Sequence, residues 1–143
     1  MGISLFSKEQ QEEIKLAIKS AEFKTSGEIR VFIDTKCKEE NVLDCAAYQF
    51  KQLNMHKTAL RNGVLIYISM EDHRFAIIGD VGINQKVASD FWDQTKEAML
   101  SYFKKGEITE GLKEGIHMVG DQLKVLFPYL EGDKNELSDE IAH

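Results

Sequence analysis

Apolar and polar positions switch several times between a helical and an extended period along this chain. From about Ser7 to Phe23, Ile14, Ala17, Ile18 and Ala21 recur at helical spacing, and Ser7 with Gln10 three residues on makes a capping-box pattern. Thr25-Ser26-Gly27 interrupts that period, and Glu28 to Asp34, rich in β-branched residues and Phe, predicts a strand. Asn41 and Asp44 open a second helix striped by Leu43, Ala46, Ala47, Phe50 and Leu53. After Asn62-Gly63 comes a continuous apolar run, Val64 to Ile68, as a strand covered on both faces requires. Glu71-Asp72-His73 predicts a turn, and Arg74 to Ile78 the returning strand of a hairpin. Beyond Gly79-Asp80-Val81-Gly82 a helix is expected from near Asn84 to Gly106, with Phe91, Thr95, Ala98, Met99 and Tyr102 on one face. A last helix, from about Glu107 to Leu126, turns Leu112, Ile116, Val119, Leu123 and Phe127 inward, and Pro128 closes it.

The resulting order is α-β-α-β-β-α-α. A helical crossover between the first two strands makes them parallel with a right-handed connection, and the third returns antiparallel. The expected fold class is therefore α/β: a three-layer α/β/α sandwich, its small mixed sheet carrying helices on both faces. Residues 6–128 form the one expected domain. Residues 129–143, short of apolar positions and carrying Glu131, Asp133, Glu136, Asp139 and Glu140, are expected as an acidic, partly disordered tail.

Composition narrows the function. The chain has 143 residues, 43% of them hydrophobic, which suits a single soluble core. No apolar run nears the roughly 20 residues of a membrane span. Ser7, Lys8 and Glu9 stand where a secretory signal would be apolar, so a cytoplasmic location is expected. A net charge of −6 with no Lys/Arg cluster argues against nucleic acid. Cys37 and Cys45 make neither a CxxC pair nor zinc-ligand spacing, and are expected as free thiols.

Topology gathers chemistry that the sequence scatters. Glu28 and Asn62-Gly63 lie at the N-terminal end of the parallel strands, and the third strand delivers Gly79-Asp80-Val81-Gly82 to that same end. The second helix brings His56, Lys57 and Arg61 there, and the helix near Asn84 starts there with Asp90 and Asp93. Such carboxylates suit a hard cation, Ca²⁺ or else Mg²⁺ or Mn²⁺. His56 is the candidate acid/base and Arg61 the candidate anion binder. Plainer roles exist for each: an ion pair with Arg30 for Glu28, a helix cap for Asp80, a solvated face for Asp90, Asp93 and Glu97, a surface position for His56. The opposite end holds Asp34, Asp44, Glu71 and Asp72, on the usual ligand side of parallel strands. No Walker A loop, GxSxG elbow or HExxH motif is present, so no nucleophile is named.

Thr25-Ser26-Gly27-Glu28-Ile29-Arg30-Val31 resembles the opening strand of TPM domains, known from thylakoid-lumen proteins of photosystem II repair and from bacterial membrane-anchored relatives. Asn62-Gly63-Val64-Leu65-Ile66, Glu71-Asp72-His73-Arg74, Gly79-Asp80-Val81-Gly82-Ile83, the spaced Gly106, Gly111-Leu112 and Gly115-Ile116, and Leu126-Phe127-Pro128 fit the same family in order. The resemblance implies an α/β/α sandwich, divalent-cation binding, usually of calcium, and acid phosphatase activity in some members. Carried over by motif, Glu28 and Asp80 are the expected metal ligands, with Asp90 and Asp93 behind them. Two departures stand out: the chain is expected to lack the signal peptide and C-terminal membrane helix of many relatives, and Gly79-Asp80-Val81-Gly82 replaces a Gly-Tyr-Gly form. Two functions follow as expectations. One is a cation-stabilised module that binds a protein partner, including one at a membrane; the other is a metal-dependent hydrolase of phosphate monoesters.

Overall fold

A computed structural model describes residues 2–129 and 140–143. After a 3-10 turn at Gly2–Leu5, α1 runs over Lys8–Glu22. Ser7 caps it reciprocally: its hydroxyl accepts the Gln10 N–H at 3.0 Å while its own N–H donates to Gln10 Oε1 at 2.9 Å. β1 spans Glu28–Asp34, and α2, capped by the Asn41 side chain, spans Val42–Gln52. A 3-10 turn at Met55–Lys57 leads to β2, Gly63–Ser69, and β3, Arg74–Gly79. The rest is helical: α3 (Val81–Asn84), α4 (Phe91–Phe103) and α5 (Ile108–Leu126).

The three strands pair in the order β1-β2-β3, the first pair parallel and the second antiparallel. Alternation along the strands builds two cores. Ile29, Val31, Ile33, Val64, Ile66 and Ile68 face α1, α4 and α5 in the larger one. Leu65, Tyr67 and Ala76 face α2 and the Met55 turn on the other side. Every residue of β2 is buried, which is why its sequence has no polar alternation. The α/β/α sandwich expected from the sequence is the observed fold.

Three details differ from expectation. The helix expected from Asn84 is two pieces, a single turn (α3) and then α4. Asn84 donates its Nδ2 to Gly79 O at 2.8 Å and accepts the Trp92 Nε1–H at 2.9 Å, so its side chain stitches a reversal where a helix would have run on. The cysteines are not free thiols: Cys37 and Cys45 form a disulfide. They meet because the β1–α2 loop curls back over the sheet, where the Arg74 guanidinium donates to the carbonyls of Cys37, Glu39 and Glu40 at 2.7, 3.0 and 2.9 Å. The acidic tail falls mostly on 130–139, outside the described residues. Its last part, however, is no solvated coil: Ile141 and Ala142 are buried, and Ala142 bridges Phe32 on the outer edge of β1.

Candidate functional site

The sheet end formed by the start of β1, the start of β2 and the exit of β3 is knitted by backbone. Glu28 N–H donates to Asn62 O at 3.4 Å, Asp80 N–H to Gly63 O at 2.9 Å, and Gly82 N–H to Arg61 O at 2.8 Å. The register pairs Glu28 with Gly63 and Gly79 with Val64, as the topology argument required. Arg61 takes a left-handed backbone (φ 51°), and Gly82 packs so tightly on it that a Cβ would lie 2.2 Å from Leu60 O. Only glycine admits that approach.

Asp80 is 5% exposed and does two jobs. It caps α3, accepting the Val81 N–H at 2.8 Å, and it takes a two-pronged contact from Arg61, Nε to Oδ2 at 2.7 Å and Nη2 to Oδ1 at 2.8 Å. That hydrogen bond holds the exposed Arg61 guanidinium further in its charged form. The plainer of the two roles expected of Asp80, the helix cap, is present, and its carboxylate is paired with an arginine. Glu28 is 2% exposed and shares its sheet face with Gly63, over which the Met55 backbone passes. Asn62 is 1% exposed, and neither its Oδ1 nor its Nδ2 has a hydrogen-bond partner; the same holds for Thr58 Oγ1 and His56 Nδ1. Buried polar atoms are nearly always paired, so this concentration at one end is unusual.

Asp90 and Asp93 are exposed at the start of α4, and Asp90 Oδ2 accepts the Gln94 amide at 2.7 Å. Among the described residues, no three His, Cys, Asp or Glu side chains stand close enough to hold a metal. The buried side-chain oxygens at this end belong to Glu28, Asn62 and Thr58, with Asp80 engaged by Arg61.

The model of the TPM domain family matches residues 3–122. The chain belongs to the TPM domain family. The NMR structure of the BA42 protein from the psychrophilic bacterium Bizionia argentinensis is similar over 96% of this chain and 94% of that one, with 44% identity and a TM-score of 0.89. The N-terminal domain of a P. gingivalis protein shares the fold at 19% identity and a TM-score of 0.67, covering 83% of this chain and 76% of that one. That of a Corynebacterium glutamicum protein does so at 13% identity and a TM-score of 0.62, covering 96% and 84%. No curated protein matches the sequence.

In this TPM domain two of the four acids at the opposite sheet end, Asp34 and Asp72, are structurally employed. Asp34 accepts the Thr35 N–H at 2.9 Å and the Tyr67 hydroxyl at 2.6 Å. Burial, with that bond to Asp34, pushes the Tyr67 phenol well above its ordinary value. Asp72 accepts from Arg74 Nε at 2.7 Å and from Cys37 N–H at 3.4 Å. Burial works against its charge, yet hydrogen bonds from Ser69, Arg74 and backbone N–H groups prevail and hold its carboxyl down to about 2. Asp44 and Glu71 are exposed. The sequence reading missed Asn62 and Thr58. Asn62 was legible only as half of an Asn-Gly turn, because nothing in one sequence separates a buried turn amide from an exposed one. Among the described residues of this TPM domain, no helix is long and apolar enough to cross a membrane.

Proposed function

We propose that this TPM domain is a divalent-cation-binding module, most suited to Ca²⁺, with its site at the Glu28–Asn62–Asp80 end of the sheet. The observation that carries the reading is the buried Asn62 amide with neither atom paired, at the same sheet end as the buried Glu28. Hard oxygen donors already stripped of water are what Ca²⁺ coordinates. Glu28, Asn62 and Thr58 would hold the ion, and Asp80 would join them if Arg61 swung away. Bound there, the ion supplies charge that compensates the buried carboxylates. With Asp80 neutralised by Arg61, few carboxylate charges remain to the ion, so the affinity expected is weak. In this reading the module binds a protein partner and performs no turnover.

The alternative, a phosphate monoesterase with His56 as proton carrier and Arg61 on the anion, is favoured by the buried His56 Nδ1 having no partner of its own. It is weakened by Arg61, whose Nε and Nη2 are committed to Asp80. On compartment, a cytoplasmic location rests on the sequence alone, and the Cys37–Cys45 disulfide favours an oxidising one. Blocking free thiols at lysis of the native cells and then counting those released by reductant decides between them.

The test is titration of the protein with CaCl₂, MgCl₂ and MnCl₂, read by melting temperature and by ¹H–¹⁵N spectra. Expected is a melting rise that grows as RT ln(1 + [L]/Kd), with shifts at Glu28, Asn62 and Asp80 that Glu28→Gln diminishes. No shift at millimolar cation sinks the reading, and shifts at Asp34 and Asp72 move the site to the other end. Cation-dependent hydrolysis of an aryl phosphate, lost in His56→Gln, would select the alternative.

A further inference from the structure

β1 lies at the edge of the sheet, so the outward backbone groups of Ile29, Val31 and Ile33 have no strand of the three to pair with. Two devices cover them. The Glu22 carboxylate, from the last turn of α1, accepts the Ile29 N–H at 2.7 Å. Further along, the chain's own segment Glu140–His143 lies parallel to β1: Ala142 N–H donates to Val31 O at 2.9 Å, and Ile33 N–H donates to Ala142 O at 2.9 Å. Ile141 is 8% exposed and joins the larger core. Glu140 is held by its carbonyl, which accepts from Arg30 Nη2 at 3.3 Å, and by its carboxylate, 3.4 Å from Lys15 Nζ.

This arrangement contains the parts of a strand-addition site: outward main-chain groups for affinity, a buried place for one aliphatic side chain to set register, and the Lys15 ammonium for an acidic residue, whose carbonyl Arg30 also holds. Among the described residues its occupant makes one ladder bridge to β1, against the seven paired positions joining β1 to β2. We propose that the outer edge of β1 is a docking groove for an extended segment of a partner protein, an acidic residue followed by a large aliphatic and a small one. Glu140-Ile141-Ala142 fills it in cis and competes with that partner. The chemistry of the partner is read from the segment already seated there. Because the cis segment is tethered, it excludes weak peptides by effective concentration, and a partner gains access only as the segment leaves.

The experiment uses full-length ¹⁵N-labelled protein, wild type and the double variant Ile141→Asp with Ala142→Pro. The second change deletes the N–H given to Val31. The probe is a synthetic peptide of residues 136–143. Saturable shifts confined to Lys15, Arg30 and the Ile29–Ile33 stretch are expected, with at least tenfold tighter apparent binding to the double variant and none by a peptide carrying Asp for Ile. Equal binding to both proteins, or no binding by a folded variant, overturns the proposal. Concentration-dependent dimers of the wild type would overturn it too, assigning the groove to a second copy. Should the variant not fold, hydrogen exchange of the wild type decides. The Ile33 amide, bonded to the segment, is expected to exchange at least tenfold faster than the Arg30 and Phe32 amides, which turn toward β2. Equal protection of all three would mean the segment leaves only on global unfolding, and the groove is then simply part of the fold.

Discussion

At the scale of single residues, the two sheet ends use the same carboxylates differently. Asp72 is a worked case of a satisfied acid. Its folded carboxyl lies at about 2, below the ordinary 3.8, so the native state prefers the charged form. The stability this brings is complete above the unfolded value and is lost as pH falls through the folded one, between about pH 4 and pH 2. Asp72→Asn, which cannot titrate, is expected to lower the melting temperature at pH 6 yet flatten its fall between pH 5 and pH 2.5. Melting profiles that stay parallel for wild type and variant would show that Asp72 is not the titrating group. None of this was readable from Glu71-Asp72-His73, where the acid looked like an ordinary turn residue. Its low carboxyl depends on Arg74 and on the Cys37 N–H, a partner from a distant loop.

Between elements, the apolar stripes carried most of the legible information, and what they left out is close backbone approach. Leu112, Ile116, Val119 and Leu123 of α5 are all fully buried, as their spacing predicted. The glycines between them set how near α4 can come. A Cβ on Gly111 would lie 2.3 Å from the Phe103 ring and 3.1 Å from Met99 O, whereas for one on Gly115 the nearest atoms all belong to the Met99 thioether chain, the first at 2.5 Å. Gly111→Ala is therefore expected to cost about 1–3 kcal/mol by urea unfolding. Gly115→Ala should cost distinctly less, since the flexible Met99 can repack and Ala gains about 1 kcal/mol of helix propensity. Equal costs would mean that α4 shifts as a body. The β1–α2 loop has a different restraint, the Cys37–Cys45 bridge. With the cysteines 8 residues apart, loop closure predicts about 2–3 kcal/mol lost in the Cys37→Ser, Cys45→Ser double variant. Because Arg74 grips three carbonyls of the same loop, Arg74→Ala should cost more without the bridge than with it. Additive costs in a double-mutant cycle would show that the two restraints act on separate parts of the loop.

Over the whole molecule, strand order alone carried Glu28, Arg61 and Asp80 from three parts of the chain to one end of the sheet. That much follows from a crossover helix and a hairpin. The state of those groups could not follow, because pairing is a matter of ångströms: Asp80 is already clasped by Arg61, and Asp90 and Asp93 point to solvent. What sets this end apart from the other is Asn62, a buried amide that makes none of the hydrogen bonds it could. An unpaired buried polar group costs about 1–3 kcal/mol, and an apolar side chain of similar shape avoids that cost. Asn62→Leu therefore separates architecture from function. If the amide is kept for a ligand, the variant should melt at or above the wild-type temperature in EDTA and lose the cation-induced rise. If the amide instead anchors the Glu28–Asp80 junction through ordered water, the variant should fall in EDTA by several degrees, and the cation site must be sought elsewhere. Melting curves of both proteins, with EDTA and with millimolar CaCl₂, distinguish a residue that stabilises the fold from one whose cost the fold bears for binding.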